Sequence, residues 1–340
     1  MGLLSLFNKE IAMDLGTANS IVIHEDQVVI DEPSIVAIDK RTNKIVAVGK
    51  RAQQMDGKNN PNIETIRPLR GGVIADFEMA QHLIRELIKM ANISRSFMPP
   101  SLRMVICIPS GITNVEQRAV LEAAEQAGAK EIKMIHEPMA AAIGIGIDVL
   151  EPCGHMIIDI GGGTAEIAVI SLGGIVCNNS IRDAGDTFNE NIIDYMRRQH
   201  NMVIGVRTAE KVKIEVGSAI SELAEPPEDY PTLGRDQMTG LPRETLVNYK
   251  EVAHALDKSI ARIEQAVLDT LGDTPPELAA DIYKTGIYLA GGGALLRGLD
   301  QRLAQKTKLK VHIADDPLRA VARGTGIALK NFNKFSFLIK

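Results

Sequence analysis

The sequence predicts an α/β protein built from two duplicated domains. Short apolar or alternating runs, bounded by turn residues, alternate with stretches of helical period along the 340 residues. Within that pattern, "AMDLGTANSIVIHE" (Ala12–Glu25) and "IIDIGGGTAEIAVI" (Ile157–Ile170) share one grammar: apolar strand, Asp, Gly-containing turn, apolar strand. Their aspartates, Asp14 and Asp159, stand 145 residues apart, about one domain length, which suggests a duplication and not a solenoid.

Near the start, Ser20–His24, Val28–Ile30, Ser34–Ile38 and Ile45–Val48 read as antiparallel strands separated by the turns "HEDQ", "DEP" and "KRTNK". A helix is expected over Phe77–Ala91. After the strand Met104–Ile108 a second helix covers Asn114–Ala127, with Thr113 and Glu116 as capping box and Gly128 as stop. Beyond the second hairpin, helical stretches cover Thr187–Gln199, Thr208–Val216 and Lys250–Leu271. The Pro-rich "EPPEDYPTLGRDQMTGLPRE" between the last two reads as a loop or hairpin insert. The strand Gly286–Ala290 then runs into "GGGALLRGLDQRLAQKT", a turn and a helix.

Bulk composition excludes several classes. An apolar fraction of 45% and a charged fraction of 24% are those of a globular protein. A net charge of −5 and the absence of Trp argue against nucleic acid as a ligand. Cys107, Cys153 and Cys177 lack CxxC spacing and the seven His show no metal-site pairing, so reduced thiols and no protein-built metal site are expected. No run reaches the ~20 apolar residues of a membrane span, and the N-terminus lacks the features of a signal peptide.

A Gly-rich turn between two strands exposes backbone N–H groups, and glycine lets an anionic oxygen approach without a Cβ in the way. The P-loop pattern GxxxxGK[ST] is absent, and neither Gly161-x-Gly163 nor Gly291-x-Gly293 completes GxGxxG. One Asp-Gly turn alone is an ordinary hairpin; two matching ones favour a clamp on a phosphate chain. Asp14 and Asp159 are then placed to hold a hydrated Mg2+. "LAGGGALLRG" (Leu289–Gly298) is a third glycine cluster, suited either to a tight strand–helix turn or to close approach of a nucleoside. In "IHEPMAAAIGIG" (Ile135–Gly146), Glu137 either complements a helix dipole or orients a water for phosphoryl transfer.

"DLGTANS", "EPMAAAIG", "DIGGGTAE" and "GGGALLRG", in this order and spacing, resemble the actin-like ATPase superfamily, and within it the bacterial cell-shape actins of the MreB type. The resemblance runs from about Lys9 to Lys330 and implies an actin-like (ribonuclease H-like) duplicated fold with ATP and Mg2+ in a cleft between the domains. It places domain I at 1–151 plus 321–340, with a small subdomain at about 39–71. Domain II falls at 152–320, with a small subdomain at about 188–251.

Carried over by position, Gly16, Thr17, Ala18 and Asn19 bind phosphate from the first domain, and Gly161, Gly162, Gly163 and Thr164 from the second. Glu137 and Thr164 match the positions that place the attacking water. Glu210 and Lys213 in "TAEKVKIEVG" match the nucleoside-contacting helix, and Gly292, Gly293, Ala294 and Leu295 the adenosine loop. One departure is Ala165, where the family usually has Thr.

The resemblance also implies membrane contact through an N-terminal apolar patch (Leu3, Leu4, Leu6, Phe7) or the loop "SFMPP", with Phe97 and Met98. Many copies in a polymer would multiply so weak an anchor. The expected function is an ATPase that forms filaments on the inner face of the cytoplasmic membrane and directs cell-wall elongation. Its expected partners are itself and elongation proteins such as MreC and RodZ, not nucleic acid. A small-molecule phosphotransferase and a non-hydrolysing ATP-binding scaffold are the alternatives. For the apolar end "FSFLIK" (Phe335–Lys340), packing and partner contact are equally open.

Overall fold

The computed structural model describes residues 8–91 and 101–339. Leu3, Leu4, Leu6, Phe7, Phe97 and Met98, expected to touch membrane, lie outside the described residues. Two compact units divide the chain. One takes the chain up to Pro152, Ile170–Ile175 and the chain from Leu318 onward; the other takes Cys153–Val169 and Val176–Pro317.

In the first unit, β1 (Asn8–Leu15), β2 (Asn19–His24) and β3 (Gln27–Pro33) form an antiparallel meander. A small sheet follows from β4 (Val36–Asp39), β5 (Lys44–Val48) and β6 (Ile63–Ile66), with α1 (Lys50–Met55) beside it. Next come the short hairpin β7 (Leu69–Arg70) and β8 (Val73–Ile74), and then α2 (Phe77–Met90). β9 (Ser101–Ile108), α3 (Asn114–Gln126), β10 (Ala129–His136) and α4 (Glu137–Ile145) complete the N-terminal part, and α10 (Ala320–Lys330) joins from the far end of the sequence. β9 runs parallel to β1 and β10 parallel to β9, giving the order β10-β9-β1-β2-β3.

Local chemistry sets these boundaries. Asp76 caps α2 by accepting from the Met79 amide at 3.0 Å, and the expected Thr113–Glu116 capping box opens α3. Helix α2 buries Met79, Leu83, Ile84 and Leu87, one stripe at helical spacing, in the core that holds Ile11 and Met13 of β1, Met104 and Ile106 of β9 and Met134 of β10. Ser34, read as a strand residue, instead lies between β3 and β4, because its side chain serves the first hairpin turn (below).

The C-terminal segment packs. Ile339 pairs antiparallel with Met134 on the outer side of β10, through two backbone hydrogen bonds of 2.8 and 2.9 Å. Phe332, 8% exposed, lies under the Arg103 guanidinium (4.9 Å) and the Lys133 ammonium (4.3 Å), and Lys133 Nζ also donates to the Phe332 carbonyl. The tail thereby covers a sheet edge that would otherwise offer open N–H and C=O groups.

The second unit repeats the plan. β11 (His155–Ile160), β12 (Ala165–Ser171) and β13 (Gly174–Ile181) are followed by α5 (Gly185–His200), β14 (Met202–Val203) and α6 (Val206–Val216). β15 (Tyr230–Asp236) and β16 (Pro242–Val247) form an antiparallel pair on β14, so the Pro-rich insert is a hairpin. α7 (Tyr249–Gly272), α8 (Pro276–Thr285), β17 (Ile287–Ala290), α9 (Leu299–Thr307) and β18 (Val311–Ile313) complete it. The large sheet has the order β13-β12-β11-β17-β18, with β17 and β18 parallel to β11. Each large sheet thus places three consecutive strands on one side and two later parallel strands on the other. The repeat read from two short motifs is a repeat of topology.

Candidate functional site

The turn after β1 is built to hold its own shape. A Cβ on Gly16 would lie 2.6 Å from the Asn19 carbonyl oxygen, so the hairpin itself requires glycine there. Ser34 fixes the turn from the side: its Oγ donates to Gly16 O at 2.6 Å and its N–H to Ala18 O at 2.9 Å. Thr17, 5% exposed, accepts through Oγ1 from the Gly72 amide at 3.0 Å. Gly72 belongs to the β7–β8 hairpin, where Gly71 and Gly72 both have positive φ (54° and 79°), as a two-residue turn demands. Sequence reasoning missed this hairpin; "RGGV" between apolar residues was its signal.

Asp14 precedes the turn. The residue is half-buried, and the solvation its carboxyl loses raises its pKa from 3.8 to about 7. A carboxylate held this way gains from a nearby cation, which fits the role assigned to it toward Mg2+.

The turn after β11 differs from the first. Gly161 N donates to Thr164 O at 2.9 Å, and a Cβ on Gly161 would meet only that oxygen, at 3.5 Å. None of Gly161, Gly162 and Gly163 has a positive φ. Neither packing among the described residues nor backbone conformation demands glycine at 161. The loop is held from behind by the N-terminus of α5: Gly185 N donates to Gly161 O (3.1 Å) and Asp186 N to Gly162 O (2.7 Å). Thr164 is 7% exposed, and Ala165 is wholly buried in the apolar core. A threonine hydroxyl at 165 would need a partner there, and alanine needs none.

In the third glycine cluster two glycines serve the tight turn. Gly291 (φ 76°) and Gly293 are bare because the chain packs on itself: a Cβ would lie 2.4 Å from Asp159 Oδ1 at Gly291 and 2.3 Å from Ile160 Cγ2 at Gly293. Gly292–Leu295 is a 3-10 turn and Gly298 is the N-cap of α9, so the cluster runs from strand through turn into helix, as expected. Ala294 points into the core, whereas Leu295 is 55% exposed.

Arg297 ties this loop to α6 by donating from Nη1 to Ile214 O and Gly217 O, both at 3.3 Å. On α6, Lys213 Nζ donates to Glu210 Oε2 (2.8 Å) and to Gly185 O (3.1 Å). Asn189 of α5 donates to the same Glu210 oxygen at 2.6 Å. Asp159, Gly161–Thr164, Glu210, Lys213 and Gly292–Leu295 therefore belong to one connected structure in the second unit. Asn189 and Gly185 were not foreseen; residues that hold others leave no motif.

In the first unit Asp14 and Glu137 share an end of the sheet. β1, β9 and β10 are parallel, and Leu15, Ile108 and His136 close them at the same side. That is the carboxyl end, where ligands of parallel α/β sheets sit. Glu137 is the first residue of α4, with Pro138 behind it. Asp159 occupies the matching place on β11, paired with Ala290 of β17.

Among the described residues no group of three or more His, Cys, Asp and Glu could hold a metal ion by itself, none of the three cysteines forms a disulfide, and no helix is long and apolar enough to cross a membrane.

Two sheets of one strand order, each with a Gly turn and an Asp at its first hairpin, define an actin-like fold. The structure superimposes on MreB5 of Spiroplasma citri bound to AMPPNP with a TM-score of 0.90, at 39% identity over 96% of this chain and 97% of that one. A MamK double helical filament subunit, at 23% identity and a TM-score of 0.80 over 95% and 99% of the two chains, shares the fold. The MreB/Mbl protein family model matches residues 8–337. The chain is 46% identical to the cell shape-determining protein Mbl of Bacillus subtilis (97% of this chain, 98% of that one). It is also 46% identical to the cell shape-determining protein MreB of Escherichia coli K12 (96% and 94%). This chain belongs to the MreB/Mbl family of bacterial actin homologues.

Proposed function

We propose that this chain binds ATP with Mg2+ through the two hairpin turns, hydrolyses it and assembles with copies of itself into filaments on the inner face of the cytoplasmic membrane, where they direct cell-wall elongation and cell shape. The observation that carries the nucleotide reading is Gly161: a glycine that neither packing among the described residues nor φ requires, in the turn that repeats Asp14–Asn19. Relatives crystallised with AMPPNP and with ADP support it. The Mbl and MreB relatives, which are cell shape-determining proteins, support the part in cell shape.

The roles follow from chemistry. Backbone N–H groups of Thr17–Asn19 and of Gly162 and Gly163 bind phosphate oxygens, and Gly161, whose own N–H is taken by Thr164 O, leaves room for their approach. Asp14 and Asp159 would hold a hydrated Mg2+, which would supply neutralisation of phosphate charge. Glu137 takes a hydrogen bond from the attacking water and Thr164 Oγ1 shares in orienting it, with positioning as the main contribution to rate. Glu210 and Lys213 take the nucleoside end. Leu3, Leu4, Leu6, Phe7, Phe97 and Met98 supply the membrane contact, and elongation proteins of the MreC and RodZ type are the proposed partners.

Sedimentation with ATP and Mg2+, with and without anionic liposomes, tests assembly and membrane contact together. Pelleting that depends on nucleotide and rises with liposomes is expected. A chain that stays in the supernatant across salt and lipid conditions contradicts the filament, and one that pellets without floating on liposomes contradicts the membrane contact.

A further inference from the structure

Asn189 sits one turn into α5 with 3% of its surface exposed. Its Nδ2 donates to Glu210 Oε2 at 2.6 Å, while its Oδ1 is buried and accepts no hydrogen bond from the described residues. Turning the amide over would set two acceptors 2.6 Å apart, so the carboxylate fixes its orientation. An unpaired buried carbonyl is destabilising, and an apolar side chain of similar shape would avoid that loss. Stability alone gives no reason for an amide here.

Its partner supplies one. Both hydrogen bonds that Glu210 accepts, from Asn189 Nδ2 and Lys213 Nζ, land on Oε2. The Glu210 side chain is 45% exposed and no bond from the described residues lands on Oε1, so that oxygen can accept from a donor outside the chain. Lys213 also donates to Gly185 O, and Gly185 N to Gly161 O. The carboxylate is thereby set in fixed relation to the phosphate loop, as a reader of a sugar between base and phosphate must be.

We propose that Asn189 is a positioning residue that sets preference for ribonucleotides over deoxyribonucleotides: it clamps one oxygen of Glu210 so that the other accepts from a ribose hydroxyl. The inference rests on the nucleotide-site reading above. Lys213 alone, on a flexible stem, leaves the carboxylate free to swing toward solvent, whereas a second donor from another helix fixes its plane. The hydroxyl bond to a held carboxylate is of the charge-assisted kind, about 1.5–3 kcal/mol, or roughly 10- to 100-fold in affinity.

The test measures binding of ATP, 2′-deoxy-ATP and 3′-deoxy-ATP to the full chain by calorimetry, with the thermal midpoint of the nucleotide-free protein alongside. The native chain is expected to favour ATP over at least one deoxy form by tenfold or more. Asn189→Leu is expected to cut that ratio to about threefold or less, by weakening ATP and leaving the deoxy form nearly unchanged, at an equal or higher midpoint. Asn189→Ala repeats the measurement without added bulk, should the leucine lower the midpoint. A ratio unchanged in both variants, or ATP and deoxy-ATP weakened equally, overturns the proposal. So does a native chain that binds all three nucleotides alike. A native chain that binds none overturns the nucleotide site itself, a result separate from the others.

Discussion

Gly144 of α4 and Gly324 of α10 are in backbone contact. A Cβ on Gly144 would lie 1.8 Å from Ala320 O and 2.9 Å from Gly324 N; one on Gly324 would lie 1.7 Å from Ala140 O and 2.9 Å from Gly144 N. The contact seats the helix that carries Glu137 at its first residue. Glycine to alanine within a helix normally gains about 1 kcal/mol. Here the added methyl meets main chain that cannot give way, so Gly144→Ala should reverse the sign and cost upward of about 2 kcal/mol. Denaturant unfolding checks it, and a stabilised variant would contradict the close seat.

The two phosphate turns should respond oppositely to the same change. Gly16→Ala forces the turn apart at Asn19 O and should lower stability by about 1–3 kcal/mol. Gly161→Ala meets nothing closer than 3.5 Å and should leave stability within about 0.5 kcal/mol of native, yet weaken ATP tenfold or more. Thermal unfolding and nucleotide titration on both variants measure the contrast.

Asp14 gives a pH dependence of definite sign. Its folded pKa, about 7, lies above the unfolded 3.8, so ionisation costs the folded state. The cost is absent below pH ~4, grows through pH 7 and is complete above it, at roughly 1.4 kcal/mol for each pH unit that separates the two values. Asp14→Asn should therefore gain stability relative to the native chain as pH rises from 5 to 8. Chemical unfolding of both nucleotide-free proteins across that range shows it; parallel curves would contradict the burial of the carboxyl.

Phe332→Ala should destabilise by about 3–5 kcal/mol, because the ring is buried and two cations lie over it. Hydrogen exchange should then rise at Met134, whose amide loses the Ile339 carbonyl as the tail lifts. Unchanged protection at Met134 would mean that the tail holds without its anchor.

The fold was legible where a residue type has one structural use. The Thr113–Glu116 box and the matching Asp-Gly hairpins carry their geometry in a few adjacent positions. The glycines were less so, since glycine marks close approach without saying by what: Gly293 yields to Ile160 and Gly144 to Ala320, whereas Gly161 meets nothing closer than 3.5 Å among the described residues. Ser34, Gly72 and Asn189 could not be read at all. Each acts on a residue far away in sequence, and only the folded chain brings Ser34 to Gly16, Gly72 to Thr17 and Asn189 to Glu210.

The most direct measurement of the central claim is single-turnover phosphate release from ATP and Mg2+ by the native chain and by Glu137→Ala, with ATP affinity determined on both. If the two hairpins hold the phosphates and Glu137 places the water, the variant binds ATP within about threefold of native and releases phosphate at least about 100-fold more slowly. Equal release by the two proteins, or none above background from the native chain, would contradict the account.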